Sequence, residues 1–286
     1  MSDYGELDLG AAVRIVWSRR LWVLALTALS TSGFIALGVV MTPTYRAETI
    51  LVSSSSDRAG SGIGAALGDL GALASVAGLS IGSSGARAEE AVALLSGRNF
   101  TERFIRDKQL LPVLFPDKWN RNGNDWAVPP ERRPSLNDGF KIFDGKVRTV
   151  TYDKKSGLIK LVVEWSDPVL AADWANQLVE RANQEMRQRA INEAQASSKF
   201  LENELSKIVL VETRQAIGRL LEGSLNQATI AAVNPEYAFR VVDRALPADR
   251  DDPVRPRWLV LLVLGPVIGA MAGCLIALAL GPKKSS

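Results

Sequence analysis

Thirty-one aspartates and glutamates, a run of four serines and one cysteine are what this 286-residue chain offers to chemistry, and it has no histidine. Carboxylates do acid–base work or hold a metal only where two or three converge, and no stretch groups a pair with a nucleophile or a metal-binding set. Ser53, Ser54, Ser55 and Ser56 lack the imidazole that an ordinary hydrolase triad requires. Asp251 and Asp252 beside Pro253 read as a solvated turn. Cys274 has no second cysteine to pair with, and a zinc site built on histidine is excluded. The G-x-G runs of residues 60–85 lack the lysine of a phosphate loop and the strand–turn–helix setting it needs. The chain is expected to be no enzyme, with no catalytic residue, no metal and no cofactor.

The residues with informative spacing are structural. Gly265, Gly269 and Gly273 stand four apart, with Pro266 just after the first, inside an uncharged apolar run over 258–280. At 1.5 Å per residue that run spans about 35 Å, enough to cross a hydrocarbon core of about 30 Å. A second run covers 21–41. It follows a tail carrying Asp3, Glu6 and Asp8, is too long for a signal peptide and has no A-x-A-like site, so it reads as an uncleaved anchor. Glycines at i, i+4 and i+8 line one helix face and let another span approach closely. Pro266 is a point where the helix can kink.

Charge flanking the spans sets orientation. Arg14, Arg19 and Arg20 precede the first, and Lys283 and Lys284 follow the second, so both termini are expected on the cytoplasmic side of the membrane. The domains expected are a cytoplasmic tail at 1–20, spans at 21–41 and 258–280, an exported region at 42–257 and a second tail at 281–286. The exported 216 residues hold 29 basic and 28 acidic side chains. The pI near 9.0 is thus a small surplus on a balanced chain, and no nucleic-acid surface is expected.

Strands are expected at 44–54, 147–152, 158–165 and 237–245, the middle two joined by a turn at 153–157. Asp167 caps and Pro168 opens a long helix whose Leu170, Trp174, Leu178, Ala182 and Met186 recur every four residues. Helical pattern continues to about 221, with Gly223 a plausible stop. A reversal between 197 and 211, at the β-branched "KIVLV", gives a helical hairpin over about 167–232. Residues 60–85 contain eight glycines but keep Ile63, Leu67, Leu70, Leu73, Val76 and Leu79 at helical spacing. They read either as a linker or as a weakly helical segment packed on a neighbour or the membrane surface. Short helices are expected at 86–95 and 99–109, and the Trp- and Pro-rich stretch from 115 to 135 reads as an exposed loop.

Several stretches resemble one family in order. They are "YRAETILV", "EEAVALLSGRNF", "YDKKSGLIKLVVEWSDPVLAADWANQLV" and "YAFRVVDRALPADRDDPVRPR". The chain is similar to the Wzz-type chain-length determinants, also called polysaccharide co-polymerases. Asp167, Pro168 and Asn176 match the family's helix start, and Pro247, Pro253 and Pro256 its Pro-rich segment. The resemblance implies a membrane protein of α+β class, with two transmembrane helices flanking a periplasmic mixed α/β sheet domain and its projecting helical hairpin. It implies a homo-oligomer that sets the length of a lipid-linked polysaccharide, such as O antigen, made by a separate polymerase. The exported region is short for the family, so a modest hairpin is expected. An accessory subunit of an ABC-type polysaccharide exporter or the membrane half of a split tyrosine kinase shares this architecture. A membrane sensor is a more distant alternative, and the short tails argue against it. Arg46, Arg255 and Arg257, at the exported ends of the spans, read either as simple anchors with snorkelled side chains or as contacts for lipid phosphates.

Overall fold

The computed structural model describes residues 17, 20–54, 84–120, 122–208 and 210–279. It divides into two compact units, one running to Tyr45 and resuming at Arg250, the other being Arg46–Asp249. The segment 60–83, with its glycine-rich periodicity, lies outside the described residues.

The first unit is built on two apolar helices, α1 (Arg20–Val40) and α8, the last helix (Trp258–Ala279). They have the length and composition to cross a membrane. Only 6% of the most apolar window of α1 and 17% of that of α8 are buried, where the core helix of a soluble protein would be mostly buried. Leu24, Leu29, Leu37, Leu259, Val263 and Leu275 all point outward. Such a coat of aliphatic side chains is stable in hydrocarbon and unfavourable in water. Two threonines of α1 are satisfied within the helix: Thr27 Oγ1 donates to Val23 O (2.8 Å) and Thr31 Oγ1 to Thr27 O (2.7 Å).

The second unit holds a four-stranded sheet. Its strands are β1 (Tyr45–Ser53), β4 (Arg148–Tyr152), β5 (Leu158–Trp165) and β6 (Phe239–Asp243), in the order β4-β5-β1-β6. β4 pairs antiparallel with β5, and β1 with β6. Arg46 pairs with Glu164 and Glu48 with Lys160, so position rises along β1 as it falls along β5. Only antiparallel neighbours give that order. The sheet is antiparallel throughout; what is mixed in this unit is helix with sheet.

Burial alternates along β1, as it must when one face is packed. The buried face meets the first half of the long helix α6 (Pro168–Leu205), through Trp174, Leu178 and Ala182. Helices α2 (Ser84–Ser96) and α3 (Arg98–Asp107) add Leu95, Phe100, Phe104 and Ile105 to this core. A chain of rings crosses it: Phe104 to Phe143 (5.9 Å), Phe143 to Trp174 (6.0 Å) and Trp174 to Trp165 (5.2 Å). Arg148 is buried beneath, donating to Thr101 Oγ1 (2.6 Å), Ser96 O (3.2 Å) and Asp144 Oδ1 (2.6 Å). Burial pushes its guanidinium pKa down and Asp144 opposes that shift.

Helix α7 (Val211–Val233) returns along α6. Here the expectation of a stop at Gly223 is wrong. α7 continues ten residues beyond it. A side chain at Gly218 or Gly223 would meet open space, so both glycines sit on an unpacked face. Each costs a helix about 1 kcal/mol, which packing on α6 offsets. Ser197 and Ser224 join the two helices at 3.1 Å. The loop expected at 115–135 also holds structure. Very short strands β2 (Trp119–Asn120) and β3 (Asp125–Trp126) pair antiparallel, with the two indoles edge to face at 5.1 Å. After short helix α4 (Leu111–Leu114) and this hairpin, α5 (Leu136–Ile142) opens on a reciprocal cap between Ser135 and Asp138.

Candidate functional site

Residues given to recognition in the sequence fall into three places. The first is the seam between α1 and α8. Gly265, Gly269 and Gly273 are buried, and the ridge continues four residues on at Ala277, which is 1% exposed. An ideal Cβ on Gly265 would lie 3.0 Å from Thr31 Cα; on Gly269, 2.7 Å from Thr27 Cα; on Gly273, 3.0 Å from Val23 Cα. These are backbone atoms, which cannot move aside as a flexible side chain can. The counterpart on α1 is Gly38, whose added Cβ would meet Leu261 Cδ1 at 2.8 Å and Trp258 at 3.0 Å. Ser30 Oγ donates to Gly265 O at 3.0 Å, one residue before Pro266, through which α8 runs unbroken. Thr27, Ser30, Thr31 and Gly38 went unremarked in the sequence. Their signal was small residues at i, i+3, i+4 and i+11 of the span, among other small residues such as Ala28 and Gly33.

The second place is where the chain leaves α1 and enters α8. The Thr44 N–H donates to Arg255 O (3.1 Å) and the Val254 N–H to Thr44 O (2.8 Å), a single antiparallel bridge. Tyr45 Oη donates to Arg250 O at 3.0 Å. Pro256, preceded by a cis peptide bond, is buried, while Pro253 is half-buried. Met41, Arg255, Pro256, Arg257, Val260 and Leu261 line a cleft of about 380 Å³ here. Arg255 and Arg257 thus share one wall system. Arg46 belongs to the other unit, where its Nε (3.0 Å) and a terminal nitrogen (2.7 Å) both donate to Glu164 Oε1.

The third place is the start of α6. Asp167 Oδ1 accepts from the N–H groups of Val169 (2.8 Å) and Leu170 (3.2 Å), and Pro168 takes the first helical position. Asn176 donates from Nδ2 to Ala245 O (2.9 Å) and accepts the Ala245 N–H (3.2 Å). Pro247 follows, exposed. One helical repeat of seven further, Asn183 is 4% exposed and does the same for Phe239: it donates to Phe239 O (2.9 Å) and accepts from the N–H groups of Phe239 (2.7 Å) and Ala238 (2.9 Å). Asn183 was not singled out in the sequence, although a second asparagine seven residues after Asn176 puts both on one helix face.

Among the described residues, no group of three or more Asp, Glu, Cys or His is placed to hold a metal ion. The polar groove between α3 and α6 is cross-braced rather than open for chemistry. Arg103 pairs with Glu185, Glu185 with Arg189, and Arg181 with Asp107. The Arg181 hydrogen bond holds the Asp107 carboxyl below the usual carboxylate range.

One unit is a pair of apolar helices long enough to cross a membrane, and the other is an α+β unit of antiparallel sheet and helical hairpin. Residues 5–108 match the family model described as Wzz, chain length determinant protein, and over this stretch the resemblance to that family is borne out. A full-length bacterial polysaccharide co-polymerase is similar at 12% identity, with 96% of each chain covered and a TM-score of 0.45. A fragment of WzzB, a polysaccharide co-polymerase from Salmonella Typhimurium, is similar at 12% identity, with 73% of this chain and 98% of that one covered and a TM-score of 0.34. No curated protein gives a significant match.

Proposed function

We propose that this chain is a non-enzymatic regulator of polysaccharide chain length. It sits in the bacterial inner membrane with both termini cytoplasmic and the region 42–257 periplasmic. There it acts as a homo-oligomer beside a separate polymerase, on a lipid-linked polysaccharide such as O antigen. The observation that carries the reading is the family match over 5–108, which takes in α1, β1, α2 and α3. Two features support it. The end helices expose aliphatic surface suited to lipid. The hairpin leaves Phe200, Leu210, Val211, Leu220 and Leu225 more than half exposed, apolar surface that copies of the chain can cover for one another.

The regulator changes how long polymerase and growing chain stay together. Deleting it therefore leaves synthesis intact and broadens a clustered length distribution toward short chains, read from the sugar-polymer profile on a gel. Loss of all polymer, or finished polymer trapped in the cell, would replace this reading with that of an exporter subunit. A monomeric mass by light scattering in several mild detergents would remove the oligomer.

A further inference from the structure

We propose that the polar groove between α3 and α6 binds a short uncharged stretch of polysaccharide through the side-chain amides of Gln184, Gln188 and Asn192. This rests on the chain-length reading and gives it a surface that meets the sugar.

The lining selects the class of ligand. Arg181, Gln184, Glu185, Gln188, Arg189 and Asn192 of α6 form one wall. Arg103 and Asp107 of α3 form the other. Every one of these side chains is charged or carries an amide. A site for an apolar molecule is lined mainly by aliphatic and aromatic side chains, and a protein partner needs an apolar centre to bury. This groove offers neither. It suits a ligand whose own surface is hydroxyl groups. Three arginines against two acids leave one formal positive charge, too little to select a polyanion.

The amides are the groups with hydrogen bonds to give. Arg103 and Arg189 are engaged by Glu185, and Arg181 by Asp107, so the charged groups answer one another. Gln184 is exposed and makes no hydrogen bond among the described residues. Gln188 Nε2 donates to Asn192 Oδ1 at 2.9 Å, which leaves Gln188 Oε1 to accept and Asn192 Nδ2 to donate. An amide donates and accepts side by side, as neighbouring hydroxyls of a sugar do. Residues four apart are neighbours on a helix surface, so the three amides form a row. From Arg181 to Asn192 the helix rises about 16 Å. At about 600 Å³ the groove has room for a short oligosaccharide rather than a single ring.

The walls are fixed before the sugar arrives. Leu178 and Met186 root α6 in the core, and Phe100 and Phe104 root α3. The pairs Arg103–Glu185 and Arg181–Asp107 then tie one helix to the other. A preformed groove spares the ligand the cost of ordering it. With no aromatic ring to stack on, the contacts are hydrogen bonds exchanged with water, each small in net worth. Binding is therefore weak and reversible, as a growing chain that must move on requires.

The test uses the full chain, immobilised in mild detergent, with retention on the column as the readout. The probes are the surface polysaccharide of the producing cells, released by mild acid and cut to a few repeats, and oligogalacturonate as an acidic comparison. Retention of the polysaccharide fragments is expected to fall at least fivefold in the double variant Gln184→Ala, Gln188→Ala. Asn192→Trp fills the groove and should weaken it by a similar factor. Gln227→Ala, an exposed amide on α7, should change nothing. Added salt should leave retention nearly unchanged, since no ion pair with the ligand is involved. Equal retention by wild type and both groove variants would overturn the proposal. So would tighter holding of oligogalacturonate that salt abolishes, which would make the groove an anion site. A groove variant that keeps the sugar but changes the assembly mass in light scattering would also overturn it, with a second copy of the chain as the occupant. Polymer length in deletion cells is profiled alongside. A deletion that broadens the distribution while the wild-type column retains no sugar sinks the groove alone; one that leaves the distribution unchanged sinks the chain-length reading beneath it.

Discussion

Asn176 and Asn183 stand seven residues apart on α6 and grip the chain just after and just before β6, at Ala245 and at Ala238–Phe239. Each side-chain amide acts as a spare peptide group, donating once and accepting at least once. An edge strand of five residues is thus fixed on one side by the ladder to β1 and at both ends by a helix.

The two amides should be unequal in worth. Asn183 is buried, and Asn183→Ala strips three backbone groups of partners where water cannot replace them. A loss of about 3 kcal/mol is expected. Asn176 is half-buried, so Asn176→Ala should cost about 1 kcal/mol. Thermal unfolding of the two variants in detergent, side by side, checks both size and order.

Glycine identity should matter along one face of the spans and not the other. Gly269→Ala places a methyl 2.7 Å from Thr27 Cα, and a loss of about 1–3 kcal/mol is expected from overpacking. Gly33, in the same helix pair, meets nothing within 4 Å. Gly33→Ala should be neutral or slightly stabilising. Engineered cysteines across the seam should crosslink more slowly in Gly269→Leu and normally in Gly33→Ala. Equal rates in both would refute a packed seam.

The Pro-rich segment should tune function without removing the protein. Pro253 and Pro256 flank the bridge to Thr44 and restrict φ on the arm entering α8. The double variant Pro253→Ala, Pro256→Ala is expected to shift the modal polymer length at unchanged abundance in an immunoblot.

Acid should weaken the second unit in a defined window. Hydrogen bonds from Arg181 to Asp107, from Ser135 to Asp138 and from Ser156 to Asp153 lower all three carboxyls from 3.8. A depressed folded-state value stabilises above the unfolded value and is lost as pH falls through the folded one. The denaturant midpoint should therefore be insensitive to these groups at neutral pH and fall below about pH 4. The triple Asn variant should show a shallower acid limb.

Local signals were legible in the sequence where one residue type decides one turn. Asp167 and Pro168 start α6 as expected, and Gly157, at φ 72°, closes the hairpin between β4 and β5. Signals that depend on a distant partner were not. Gly223 reads as a helix stop until the opposite face of its helix packs on α6. Asn183 reads as a polar face until β6 supplies the groups it caps. Trp119 and Trp126 read as loop residues because a two-residue ladder is too short for alternation to register. The glycine ridge of α8 was visible, but Thr27 and Thr31 opposite it are ordinary residues until the helices meet.

β1 is the second strand in from the β6 edge of the sheet, yet it is synthesised first and β6 last, nearly two hundred residues later. At about 5–20 residues per second, that is a wait of about 10–40 s. β5 closes one side of β1 during that time. The other side stays an open row of peptide groups, able to pair with a neighbouring nascent chain. The helical hairpin, made between β5 and β6, is what prolongs the wait. Slowing translation across α7 should therefore raise aggregation of the newborn chain, while the same delay placed after Asp243 should not.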